Sequence, residues 1–325
     1  MRASVAGARP TFALVTLTLA TSVVPIAASG SSSGATPASP GPPKVTFSPR
    51  SSLARLDLIR GEVRGVAIGR FFAVADPTVS ASGQLAFVSS RCASCEQRLT
   101  VMHGRRAAIF GQATSVAPLN KGRLLVSAGR GEDTEIRLVD RNGHGNELEW
   151  LTRSAERIGI ENEKELVVSP NRRMLLFSGE GRAEHHGNYV ADLLRHRLLP
   201  LAGEAESAPA FSPDGRTIAY QNVSRRGDWD LCVARISLRA VSHERCFRSP
   251  GSNDRQPAFM ANGRTVVFSS DRASRRSGVS SLYLLDLRTG SVRRLTRGRY
   301  DATSPAVAPD GRSVIFVRRA LVPLR

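Results

Sequence analysis

Lysine is almost missing from this chain, standing only at 44, 121 and 164, so nearly all of the 46 basic residues are arginine and the formal net charge is still +18. Aromatic residues make up only 6% of the chain and form no stripe with the arginines, which speaks against a nucleic-acid surface. After Ile26 there is no long apolar run, so the rest of the chain offers no candidate membrane span. The histidines (His103, His144, His185, His186, His196, His243) show no H-x-x-x-H spacing, and Cys92-x-x-Cys95 has no second pair to complete a zinc site. No metal and no cofactor are expected.

What is present is a repeat. Its cleanest copy is APAFSPDGRTIAY, Ala208 to Tyr220. Ala208 to Ser212 reads as a short strand, Pro213-Asp214-Gly215 as a turn, and Thr217 to Tyr220 as the returning strand. Proline presets one turn dihedral, aspartate bonds its own backbone, and glycine takes a positive φ at little cost. Further copies begin at Arg255 and Thr303, and weaker ones at Pro77, Ser115 and Glu165. Aligned on the turn, they place Gly83, Gly122, Arg172, Gly215, Gly263 and Gly311 in register, 39, 50, 43, 48 and 48 residues apart. Short strands at such a period indicate radially repeated β-sheets, whereas helical solenoids would carry 3.6-residue patterns. Six units imply an all-β, six-bladed β-propeller of four-stranded antiparallel blades.

In chain order, residues 1–29 have a basic start (Arg2, Arg9), an apolar run from Phe12 to Ile26 and small residues at Ala27-Ala28-Ser29, the pattern of a secretory signal peptide cleaved after Ser29. The alternative is a retained anchor, for which the run is short and interrupted by Pro25. Residues 30–43 are a Ser/Gly/Pro-rich linker. Its match to G-x-S-x-G at Gly30 to Gly34 has no strand before it and no helix after it, so it carries no nucleophile chemistry. Residues 44–325 form the propeller. Ala54 to Ile68 reads as two strands without a turn-anchored partner, while the sixth unit lacks its last two strands. The N-terminal hairpin is therefore expected to complete the last blade and close the ring.

The second half of each unit repeats as well. Blade five gives SLYLLDL and SVRRLT, blade four DLCVARI and HERCF, blade three NYVADL and HRLLPL, and blade two EIRLVD and ELEWLT, each pair reading as third and fourth strands. SPDGRTIAYQN, the GDWDL at Gly227 to Leu231, and SLYLLDLRTGSVRRLTRG resemble the propeller repeats of TolB and related periplasmic proteins. The resemblance spans Pro77 to Val317 and implies the propeller fold and an extracytoplasmic location. TolB carries an α/β domain ahead of its propeller, and Gly30 to Arg50 is too short to hold one. TolB's partnership with a peptidoglycan-associated lipoprotein is not carried over. The repeats are also similar to the propeller domains of prolyl-oligopeptidase-type peptidases, whose hydrolase domain is not expected after Arg325.

Loops between strands one and two, and three and four, are short and share one face. Those between strands two and three, and between blades, vary and share the other, where binding sites are commonly built. On that second face the candidate binding residues are Arg225, Arg226, Trp229, Asp254, Asp271, Arg272, Arg275, Arg276, Tyr300 and Asp301. Trp229 and Tyr300 are possible aromatic anchors, and the bland alternative is a self-paired, solvated rim.

Four cysteines in an exported chain imply two disulfides. An antiparallel pair turning near Arg239 places Cys232 opposite Cys246 at roughly 4.5 to 5.5 Å, within bridging range. Cys92 and Cys95 share one loop; a structural bridge is favoured over a redox site because no strand-helix context surrounds them. The expected function is an exported, monomeric, non-catalytic scaffold for an envelope protein or an anionic cell-wall polymer, attracted in part by net charge. The competing class is a lyase or hydrolase acting on envelope glycans or peptides, which would require residues such as His186, Glu206 and Tyr300 to converge.

Overall fold

The computed structural model describes residues 45–323 except 70, 121, 131–132, 141, 182–185, 201–206, 225 and 275–277. The expected signal peptide and linker lie outside the described residues. Among the described residues, no helix is long and apolar enough to cross a membrane.

The chain opens with β1 (Val45–Asp57) and β2 (Val63–Gly65). Blade one follows as β3 (Ala73–Val79), β4 (Leu85–Ser90), β5 (Arg98–His103) and β6 (Arg106–Gln112). Blade two is β7 (Ser115–Asn120), β8 (Arg123–Arg130), β9 (Asp133–Val139) and β10 (Gly145–Glu147), after which comes the helix α1 (Glu149–Ile158). Blade three is β11 (Ile160–Val168), β12 (Met174–Gly181), β13 (His186–Asp192) and β14 (Arg197–Pro200). Blade four is β15 (Ser207–Phe211), β16 (Thr217–Val223), β17 (Trp229–Ile236) and β18 (Val241–Phe247). Blade five is β19 (Asp254–Phe259), β20 (Thr265–Ser270), β21 (Ser281–Asp286) and β22 (Val292–Arg294), and the chain ends on β23 (Tyr300–Val307) and β24 (Ser313–Pro323). Six four-stranded sheets result, five in sequence order and the last ordered β2-β1-β24-β23. The N-terminal hairpin thus completes blade six. Leu53, Ala54 and Leu56 lie opposite Val317, Phe316 and Val314 and are fully or almost fully buried.

Second strands explain the ring. Phe87, Phe177, Tyr220, Phe268 and Phe316 occupy the same position in β4, β12, β16, β20 and β24 and are the largest fully buried side chains. Each lies in an apolar cluster that spans two adjacent blades, and blade two puts the smaller Val126 there. A flat sheet hides only part of its apolar surface alone, so the faces are buried blade against blade.

The first turns have the expected chemistry. In blade four the Ser212 hydroxyl donates to the Asp214 carboxylate at 2.6 Å, the Arg216 N–H donates to the same oxygen at 3.0 Å, and Gly215 has φ +68°. Those donors hold the Asp214 carboxyl below its usual range. Blade three makes the same turn with Asn171 in place of the aspartate and with Arg172 at φ +59°.

One expected strand is corrected. ELEWLT ends as a strand at Glu147, and from Glu149 the chain is helical. Leu151 and Ala155 fall on one buried face, Glu149 and Arg157 oppose the dipole at the two ends, and Gly159 caps in the left-handed region at φ 71°.

Candidate functional site

The first strands of the six blades surround a central channel. In four blades that strand is interrupted by a bulge at a non-glycine residue of positive φ: Asp76 (47°), Glu165 (56°), Gln256 (53°) and Ser304 (49°). Three of the four precede proline (Pro77, Pro257, Pro305), which has no N–H to give the ladder. Such backbone is strained and persists only where its surroundings fix it. Here the fixing contacts run from blade to blade. Asp76 Oδ2 accepts from the Ser115 hydroxyl and the Val116 N–H, both at 2.8 Å, and Ser115 Oγ accepts in turn from the Leu166 N–H at 3.0 Å. Across the ring, Gln256 Oε1 accepts from the Ser304 N–H at 2.9 Å, while the Gln256 N–H donates to Gln221 Oε1 at 3.1 Å.

Between these bulges and the ends of the first strands lies a cavity of about 510 Å³. Asp76, Glu165, Gln256 and Ser304 make its polar end; Pro118, Pro170, Phe211, Phe259 and Val307 make its apolar end, next to the short first turns. Burial pushes the Asp76 carboxyl up, against the Val116 N–H and the Ser115 hydroxyl. This lining, which also includes Lys164 and Thr114, suits a ligand that is part polar and part hydrocarbon. This half of the channel adjoins the face opposite the variable loops. The aligned polar-Pro pairs Gln256-Pro257, Ser304-Pro305 and Asp76-Pro77 are its trace in the sequence.

On the variable-loop face, four of the expected binding residues come together at the junction of blades four and five. Asp254 is 1% exposed; it accepts from the Ser270 hydroxyl at 2.6 Å and pairs with Arg272 at 2.6 Å. Burial raises its carboxyl to about 6, with Arg272 and Ser270 pulling the other way. The Arg272 guanidinium lies 5.2 Å from the Phe268 ring centre and 5.1 Å from that of Tyr283. Asp271 accepts from the Asn253 N–H at 2.7 Å and its amide at 2.9 Å. Trp229 is half-buried, with Arg255 over its ring at 5.5 Å. Tyr300 and Asp301 stand apart, at the junction of blades five and six: Tyr300 stacks on Phe316, and buried Asp301 accepts from the Ser280 N–H at 2.8 Å. Burial raises the Asp301 carboxyl as well. Arg226 is exposed. Arg225, Arg275 and Arg276 lie outside the described residues, as do His185, Glu204 and Glu206, and the side chain of His186.

Both disulfides are formed, Cys92–Cys95 with Cα atoms 5.0 Å apart and Cys232–Cys246 at 4.0 Å. Cys232 and Cys246 are direct partners in the β17–β18 ladder.

Residues 189–321 match the family TolB beta propeller domain. A comparison with curated proteins gives no match. Among solved structures, the chain is similar to a protein of Agrobacterium tumefaciens assigned as TolB, at 19% identity and a TM-score of 0.63, covering 86% of this chain and 100% of that one. TolB from Acinetobacter baumannii is similar at 15% identity and a TM-score of 0.55, over 86% of this chain and 67% of that one. A gluconolactonase from Xanthomonas campestris is similar at 16% identity and a TM-score of 0.54, over 88% and 98% of the two chains. The second half of the chain matches TolB propeller repeats in sequence, and the six-bladed ring as a whole is similar to these structures in fold.

Proposed function

We propose that the protein is an exported, monomeric, non-catalytic propeller that binds a protein or an anionic polymer of the cell envelope. The observation that carries this reading is how the buried and half-buried carboxylates are engaged. Asp76 ties blade one to blade two, Asp254 holds Arg272 and Ser270, Asp271 holds Asn253, and Asp301 holds the Ser280 N–H. Each is engaged by scaffold donors: Asp76 and Asp301 stand apart, while Asp254 and Asp271 share one junction but hold different partners. Two disulfides and the net charge of +18 support export and attraction to anionic surfaces. Capture from envelope extract with the mature chain, beside a variant with Arg225, Arg226, Arg275 and Arg276 changed to Ala, tests this. One protein held at stoichiometric yield and lost in the variant supports a shaped interface. Retention of polymer that salt removes points to charge alone. Turnover of envelope glycans or peptides would overturn the non-catalytic reading.

The channel cavity with half-buried Asp76 favours a second reading, a hydrolase or lyase working from the other face. Such an activity would fall at least about a hundredfold in Asp76→Asn if that carboxylate acts on substrate.

A further inference from the structure

The two disulfides differ in what holds their sulfurs together. Cys232 is fully buried between blades three and four, and ladder pairs on both sides, Leu231 with Phe247 and Val233 with Arg245, keep Cys246 opposite it. If that bond opens, the sheet still presents one thiol to the other, so the effective concentration stays high and the bond re-forms. Cys92–Cys95 lies in the loop joining β4 to β5, beyond the last ladder pair of those strands, Ser89 with Arg98. It closes a loop only four residues long, spanned otherwise by one backbone contact, Cys95 N–H to the Cys92 carbonyl at 3.3 Å. Cys95 is exposed and Cys92 half-buried. This bond ties no blade to another.

We propose that Cys92–Cys95 is a thiol–disulfide exchange site that oxidises protein dithiols, rather than a structural staple. The geometry gives the exchange a direction. Cys95 is the open sulfur for attack. Cys92 is the sulfur with help as a leaving group: the Ser94 hydroxyl, 3.7 Å away, donates to Cys92 Sγ, which has no proton of its own in the disulfide. A hydroxyl donor stabilises a thiolate. In the first step a partner thiolate attacks Cys95 Sγ; a mixed disulfide forms, the Cys92–Cys95 bond breaks, and Cys92 leaves as thiolate. In the second, the partner's other thiolate attacks its own sulfur in the mixed disulfide and Cys95 leaves. The partner dithiol loses two electrons and two protons and becomes a disulfide; the loop gains both and becomes a dithiol. A variable loop on a rigid blade is where such a group can meet a partner without disturbing the core.

The test uses the full oxidised chain in glutathione buffers of graded ratio, with acid quenching, alkylation and peptide mass spectrometry to read each bond, and circular dichroism to follow the fold. Cys92–Cys95 is expected to open in buffers at least tenfold less reducing than Cys232–Cys246 requires, about 30 mV for a two-electron couple, with the dichroism unchanged. Ser94→Ala should move the Cys92–Cys95 midpoint about tenfold toward the disulfide through the lost charge-assisted hydrogen bond. The oxidised chain should convert a reduced dithiol peptide to its disulfide one for one, and Cys92→Ser should not. Opening of both bonds together, opening of Cys92–Cys95 only as the fold is lost, or an inert chain against the peptide would each overturn the proposal. A Cys92→Ser/Cys95→Ser chain that melts well below the parent would also overturn it, by showing that the bond holds structure.

Discussion

Blades four, five and six turn from first to second strand through Gly215, Gly263 and Gly311, at φ between +63° and +68°, whereas blade three makes the same turn with Arg172 at +59°. The contrast extends across the ring. The half that matches the family, from β13 to β24, repeats one blade with little change. The first half carries α1, the Cys92–Cys95 loop and the Asp76–Ser115 contact, and puts Val126 where four of the other five blades put phenylalanine and one puts tyrosine. Both halves reach the same four-stranded topology. The ring is therefore held by buried second strands packing against the next blade, and the turn signature refines it. Loops in the less regular half are free to carry other chemistry.

The severest way to break the comparison is at the seam where the two halves meet. Removing residues 45–68 strips β1 and β2 from blade six and exposes β24 along its length; cooperative melting followed by circular dichroism should be lost altogether. A soluble truncation with an intact melt would show that the ring closes without the hairpin.

Next in size is the aromatic position. Phe268→Ala should lower stability by about 3–5 kcal/mol, whereas Val126→Ala, at the same place in blade two, should cost about 2 kcal/mol. Urea unfolding of the two variants measures the difference. Equal losses would mean that blade two packs as tightly as the regular blades.

The pH dependence of the regular half is smaller. Asp254 holds its proton to about pH 6 when folded, against a usual aspartate value of 3.8. Between those values the folded chain binds the extra proton, so stability falls as pH rises from about 4 to about 6, by up to roughly 2–3 kcal/mol. Asp254→Asn should flatten that part of the curve, whatever its effect on absolute stability. An unchanged slope would mean that Arg272 keeps the carboxylate charged throughout.

The smallest effect sharpens the turn itself. Arg172→Gly should raise stability by about 0.5–1 kcal/mol, because relief of the left-handed backbone outweighs the added freedom of the unfolded chain. A lower melting temperature in Arg172→Gly would show that the arginine side chain does something the backbone argument omits.

Much of this was legible in order along the chain. The first turns, of which Ser212-Pro213-Asp214-Gly215 is the cleanest, are local chemistry, so their spacing pointed to six units and the missing strands at each end pointed to the closure. Cys232 and Cys246 followed from hairpin register. The helix α1 was misplaced because a short segment such as ELEWLT alternates well enough to pass for an edge strand, and only the burial of Leu151 and Ala155 on one side distinguishes the two. Asp254, Asp271 and Asp301 read as rim charges because a carboxylate looks the same in sequence whether water or a protein group donates to it. The channel residues were in plain view as polar-Pro pairs, but their meaning depends on bulges that no local pattern specifies.

The sequence by itself determined the blade, the number of blades and the way the ring is closed, because turn dihedrals, strand alternation and repeat period are properties of neighbouring residues. Only the tertiary structure decided which charges are buried, where the cavity lies, and which disulfide is gripped by a sheet and which merely closes its own loop. Those depend on what the next blade brings to the same place, over separations of 35 to 51 residues for contacts such as Gln221 to Gln256 and Ser115 to Leu166.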